Sequence, residues 1–134
     1  MLTSIFILLV LFQLKHFLAD YQLQTPYMLG KMQATGWVKP LAAHAAVHAC
    51  ITAIIVLWFL ILSGQSTLAV ILTPLLAIAD FITHFIVDRV KASPSLCGRF
   101  NPTQPYFWWA LGADQTAHHL THYAFIAILI STIY

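Results

Sequence analysis

Every acidic residue of this chain lies inside a long apolar run, four residues from a histidine. The pairs are His16/Asp20, Asp80/His84, His84/Asp88 and Asp114/His118, and there is no glutamate. A spacing of four places both side chains on one helix face, one turn apart. An ionisable residue at the centre of a membrane span costs about 2.5–3.5 kcal/mol on the mildest scale, so such residues tend to mark function. Four apolar runs carry them: Leu2–Leu23, Leu41–Leu62, Thr67–Arg89 and Gly112–Tyr134. Each is long enough, at about 20 residues, to cross the hydrocarbon core as a helix. The expected fold is therefore all-α, a single membrane domain over residues 1–134 built as a four-helix transmembrane bundle.

Composition supports this reading. Charged residues make up 7% of the 134 residues, where a soluble domain carries about a quarter. The first run has no basic leader and no small-residue cleavage site, and reads as a retained span. Lys31 and Lys39 fall between spans one and two. Arg89, Lys91 and Arg99 fall at the end of span three and beyond it. The link Ser63-Gly64-Gln65-Ser66 is uncharged. The positive-inside rule then places both basic connections in the cytoplasm and both termini outside. Lys15, within span one, would snorkel to the interface or pair with a carboxylate. No basic stripe or recognition motif points to nucleic acid. Cys50 and Cys97 form no disulfide framework.

Between the spans, Gln24–Pro40 is expected to hold a short interfacial helix, and Pro40 suits the first turn of span two. Pro74 is expected to kink span three. The run Tyr106-Phe107-Trp108-Trp109 reads as an interfacial anchor leading into span four.

With that topology, ten groups gather in the inner halves of the spans: His16, Asp20, His44, His48, Asp80, His84, Asp88, Asp114, His118 and His122. At 1.5 Å per residue all fall within about 12–15 Å of the cytoplasmic boundary. Six imidazoles and four carboxylates at one level suit divalent transition metals such as Zn, Mn or Fe. Facing helices of a bundle can build a two-ion site from such groups. All ten are candidate ligands. Asp80, the deepest acid, is also a candidate to orient a ligating imidazole. The activity expected of such a site is metal-dependent hydrolysis of a lipid-linked or phosphorylated substrate at the cytoplasmic face. Asp20, Asp88 and Asp114 are the catalytic candidates. Gln24, Lys31, Lys39, Arg89, Lys91 and Arg99 are the candidates for holding the substrate. A proton or metal-ion relay and a small scaffold with a polar core are the alternatives. Membrane lipid is the expected partner, and a second copy would be one way for so small a bundle to complete its pocket.

The segment His16-Phe17-Leu18-Ala19-Asp20-Tyr21-Gln22-Leu23-Gln24 resembles the opening motif of the Domain of Unknown Function 3307 family, small multi-span membrane proteins of bacteria and their phages. Lys31, the His44/His48 segment, His84-x-x-x-Asp88-x-x-Lys91 and Asp114-Gln115-x-x-His118 fit the same pattern. The resemblance covers nearly the whole chain and implies a polytopic protein of a bacterial-type inner membrane. It also draws attention to Gln24, Lys31, Lys91 and Gln115. His44-x-x-x-His48 and His118-His119-x-x-His122 are similar to the histidine boxes of membrane desaturases and hydroxylases, in a different order and spacing. That keeps oxidative di-iron chemistry as a minor alternative.

Overall fold

The computed structural model describes residues 1–134. Its four long helices are α1 (Leu2–Phe17), α2 (Val38–Leu62), α3 (Ser66–Ala92) and α4 (Pro105–Ile133), and there are no strands. α1 continues as a single π-helical turn, Leu18–Gln22. The widened turn is closed by the Leu23 amide donating to the Leu18 carbonyl at 2.9 Å. Turns of this kind recur at functional sites because they re-aim one side chain within a helix. Here the turn contains Asp20.

The polypeptide runs up and down. The tight turn Ser63–Gln65 joins α2 to α3 at one end of the bundle. The Ser4 and Tyr134 hydroxyls, 3.0 Å apart, bring the two termini together. Both long connections therefore share the opposite end. The first holds a 3₁₀ turn at Met28–Met32, where a short interfacial helix was expected, and the second holds one at Cys97–Arg99. Gly98 sits hard against the Ala92 carbonyl, where any Cβ would collide.

Two helices start earlier than the apolar pattern suggests. α2 begins at Val38, so Pro40 falls within its first turn, where the missing N–H costs nothing. α4 begins at Pro105, seven residues before Gly112. The prolines there read as loop, but a proline at the first helical position fits the helix it opens. The aromatic run is thus the first turn and a half of α4. Pro74 lies inside α3, which continues through it.

The half of the bundle near the termini is a dry core in which Leu8, Phe12, Val56, Leu60, Leu76 and Leu129 interlock. The other half is polar inside and apolar outside. Ile78, Ile82 and Ile86 of α3 point outward, while Asp80, His84 and Asp88 of the same helix are buried. This inverts the pattern of a water-soluble bundle, and it suits a helix whose outer surface meets lipid. Helices α1 with its π turn, α2 and α3 are each long and apolar enough to cross a membrane. α4 has the length, at 29 residues, but Asp114, Gln115 and three histidines dilute its apolar character.

Candidate metal centre

The period-four stripes of the four helices meet in one buried network. His16 and Asp20 come from α1 and its π turn, His44 and His48 from α2, Asp80, His84 and Asp88 from α3, and Asp114, His118 and His122 from α4. All ten candidate ligands join it, and nine of them are buried; Asp20 alone is part-exposed, its side chain 21% accessible. The network has three levels.

At the cleft end, Asp88 is the hub. Its Oδ2 lies 3.0 Å from His44 Nε2 and its Oδ1 accepts from His118 Nε2 at 3.1 Å. His118 Nε2 is also 3.5 Å from Asp114 Oδ1. Asp88, Asp114 and His118 offer three donor atoms within 4.8 Å of one another.

The next level is reached from Asp20, which faces three imidazoles. Its Oδ2 is 3.2 Å from His16 Nε2, and its Oδ1 is 3.2 Å from His48 Nε2 and 3.4 Å from His44 Nε2. His16, His48 and His84 bring one nitrogen each within 4.8 Å of the others. The His84 ring stacks between His48 at 3.7 Å and His118 at 4.1 Å. His84 Nδ1 donates to the Asp80 carbonyl at 3.0 Å. In the neutral ring that leaves the Nε2 lone pair free.

The deepest level is closed by a cation of the chain itself. Lys15 Nζ donates to Asp80 Oδ2 at 2.7 Å and to His122 Nε2 at 3.1 Å, and Thr52 Oγ1 donates to Asp80 Oδ2 at 2.8 Å. Neither Lys15 nor Asp80 is exposed. An ammonium has no acceptor atom, so His122 Nε2 must be the acceptor. Asp80, His84 and His122 also bring donor atoms within 4.8 Å, but here the Lys15 ammonium already supplies the positive charge.

Ligand atoms bound at about 2.0–2.1 Å around a tetrahedral ion stand about 3.3 Å apart. The separations of 3.0–3.5 Å at the two outer levels match such edges. Hydrogen bonds alone do not use the same atoms up. His44 Nε2 and His84 Nε2 are both buried without an aligned hydrogen bond, although carboxylate oxygens surround the first. Buried polar atoms without partners are rare and call for a reason.

A cleft of about 390 Å³ reaches this network between the two long connections. Asp20 and Asp88 lie on its floor. Lys31, Lys91, Gln24 and Gln115 line its polar side. Lys31 Nζ donates to Asp88 Oδ2 and Lys91 Nζ to Asp114 Oδ2, each at 2.8 Å. Gln115 lies beside His16, Oε1 3.2 Å from Nε2, and its amide donates to Asp114 Oδ2 at 3.0 Å.

Three residues expected to hold substrate lie elsewhere. Arg89 donates to the carbonyls of Lys31 and Gln33 at 3.1 and 3.2 Å and stacks 3.9 Å over the Trp37 ring. It fastens the first connection to α3. Arg99 lies 5.0 Å over its neighbour Phe100. Lys39 lines a separate shallow hollow beside Tyr27, Gly36 and Pro40. The sequence reading missed Thr52 altogether. It continues the stripe His44, His48 at the same spacing of four, and that stripe was the available signal.

An all-helical chain with a buried histidine–aspartate core and at least three helices fit to cross a membrane defines a class of small membrane-associated helical proteins. The chain belongs to the DUF3307 family, described as proteins of unknown function, whose model matches residues 7–134. No curated protein and no solved structure matches it.

Proposed function

We propose that the chain is a four-span membrane protein holding two divalent transition-metal ions, and that it hydrolyses a phosphorylated substrate at the cytoplasmic membrane face. In this reading both termini lie outside, and both basic connections and the cleft lie inside. The deep ion takes His16, Asp20, His48 and His84. The cleft ion takes His44, Asp88, Asp114 and His118. Asp20, within 3.4 Å of His44 and 3.2 Å of His48, would be shared between the two ligand sets. Asp80 and His122, closed off by the fully buried Lys15, support the site and do not ligate, whereas Lys31 and Lys91, which pair with Asp88 and Asp114, reach solvent and can turn aside into the cleft.

The observation that carries the reading is that several buried imidazole nitrogens of the network lack an aligned hydrogen bond, and that two of these, His44 Nε2 and His84 Nε2, lie among the candidate ligand atoms. A network built only for hydrogen bonding would have aligned both, His44 Nε2 being 3.0 Å from Asp88 Oδ2. Two divalent ions would satisfy them and outweigh the three carboxylates. With Lys31 and Lys91 alongside, the cleft then carries excess positive charge and favours an anion. Ions in such a pair acidify bound water and stabilise charge on the attacking and leaving oxygens. Water reaches the floor at Asp20. A carboxylate oxygen there that is free of metal would act as the general base.

A relay across the membrane fits less well. The polar ladder ends at Lys15, and beyond it lie Leu8, Phe12 and Val56, all essentially unexposed.

Elemental analysis of the detergent-purified protein, paired with phosphate release from phosphomonoesters, tests the proposal. About two ions per chain, with release that chelation abolishes, is the expected result. Metal-free protein with no release after zinc loading would overturn it.

A further inference from the structure

The cleft lining is mixed. Beside the polar groups already described it carries Leu29 and Met32 from the first connection and Phe107, Ala110 and Leu111 of α4. Cleft-lining residues come from both the π turn ending α1 (Tyr21) and the first turns of α4 (Ala110, Leu111). At the same level Tyr106, Trp108 and Trp109 stand exposed on α4, where amphipathic rings favour the headgroup layer of a bilayer. A soluble phosphate ester needs the lysines and the ions, but it has no use for the apolar residues.

We propose that the cleft receives a lipid bearing a terminal phosphomonoester, with its phosphate between Lys31 and Lys91 and the start of its acyl chains against Leu29, Phe107 and Leu111. The placement is complementary in charge and in polarity. The ammoniums lie beside Asp88 and Asp114, and the apolar residues line the same cleft, so that a lipid would present its phosphate to the first and the start of its chains to the second. Lipid tails are already out of water in the bilayer; where the head group draws the first methylenes out of it, the apolar residues keep them dry, and each one left wet would weaken binding about threefold to fourfold. The cleft therefore accepts the start of the chains without the penalty that an all-polar pocket would impose. This inference rests on the hydrolase reading and names its substrate class. In the reaction, a water oxygen bonds to phosphorus and the bond from phosphorus to the lipid oxygen breaks. The departing lipid oxygen takes up a proton lost by the attacking water. The products are the lipid alcohol and inorganic phosphate.

The test uses the full chain, zinc-loaded, in phosphatidylcholine nanodiscs. Dioleoyl phosphatidate doped into the disc is compared with glycerol 3-phosphate, which has the same phosphate and no chains. Phosphate release is one readout. The other is retention of phosphatidate by the protein, measured by native mass spectrometry with and without zinc. Phosphatidate should exceed glycerol 3-phosphate by at least about tenfold in both. Leu111→Gln and Phe107→Gln should remove the advantage while leaving zinc content unchanged. Should one of them fail to fold, Leu29→Gln in the connection provides the same comparison. Lys31→Gln/Lys91→Gln should abolish retention. Equal handling of the two esters would overturn the lipid assignment and leave the hydrolase standing. Selective retention of phosphatidate with no release of phosphate would support the lipid site and overturn the hydrolase. Absence of both retention and release would overturn both.

Discussion

Lys15 Nζ lies 2.7 Å from Asp80 Oδ2, and neither side chain is exposed at all. This pair sits where the polar half of the bundle meets the dry half. It neutralises the deepest carboxylate without any bound ion. Breaking such a pair from one side leaves a charge buried alone, which costs about 3–5 kcal/mol. Lys15→Met should therefore lower the thermal midpoint sharply. Lys15→Met/Asp80→Leu, which removes both charges, should recover most of the loss. A Lys15→Met protein as stable as the parent would mean that the pair does not form.

The two proposed ion sites should be separable. His118→Ala removes a ligand of the cleft ion, and His84→Ala a ligand of the deep one. Each variant should lower metal content from about two toward one, and the double variant should approach zero, as read by elemental analysis. Asp80→Asn, which replaces the carboxylate whose Oδ1 lies 3.2 Å from His84 Nδ1, should keep both ions, with affinity for the deep one weakened by about 10–100-fold, the usual cost of disturbing a group that supports a ligand.

The basic residues should divide by position. Lys31 and Lys91 reach Asp88 and Asp114 on the cleft side. Lys39 and Arg99 do not line the cleft. Lys31→Gln or Lys91→Gln should reduce kcat/KM for a phosphomonoester by about 10–100-fold, the worth of one charged hydrogen bond. Lys39→Gln and Arg99→Gln should leave it within about twofold, since surface charges contribute little. A large effect at Lys39 would move the substrate site to the other hollow.

Arg89 should act as a fastener. Its guanidinium holds two connector carbonyls and covers Trp37. Arg89→Gln should expose the Gln33–Trp37 stretch to limited proteolysis while metal content stays the same. Arg89→Lys should rescue only in part, because an ammonium cannot reproduce the planar stacking and the fork of donors.

How the sequence foretold this site follows from its geometry. The i,i+4 pairs were legible because helix periodicity alone sets their face, and burial of all four stripes accords with the cost of leaving charge on an otherwise apolar helix surface. The partners across helices were not legible. That His44 meets both Asp20 and Asp88 depends on the relative heights of α1, α2 and α3, which packing decides. The π turn at Leu18–Gln22 has no simple sequence mark, yet it places Asp20. The loop cations look alike in sequence. Only the path of the first connection shows that Arg89 is spent on backbone carbonyls while Lys31 reaches a carboxylate. Lys15 read equally well as a snorkelling residue or as an ion-pair partner. Its neighbours on α3 and α4 decide for the pair.

The central claim is that histidines and aspartates from four helices enclose two metal ions. An anomalous-scattering map from crystals of the zinc-loaded protein, recorded at the zinc absorption edge, tests it most directly. The account predicts two peaks, one among His16, Asp20, His48 and His84 and the other among His44, Asp88, Asp114 and His118. A map with no peak in either place, and the same side chains joined only by hydrogen bonds, would contradict it.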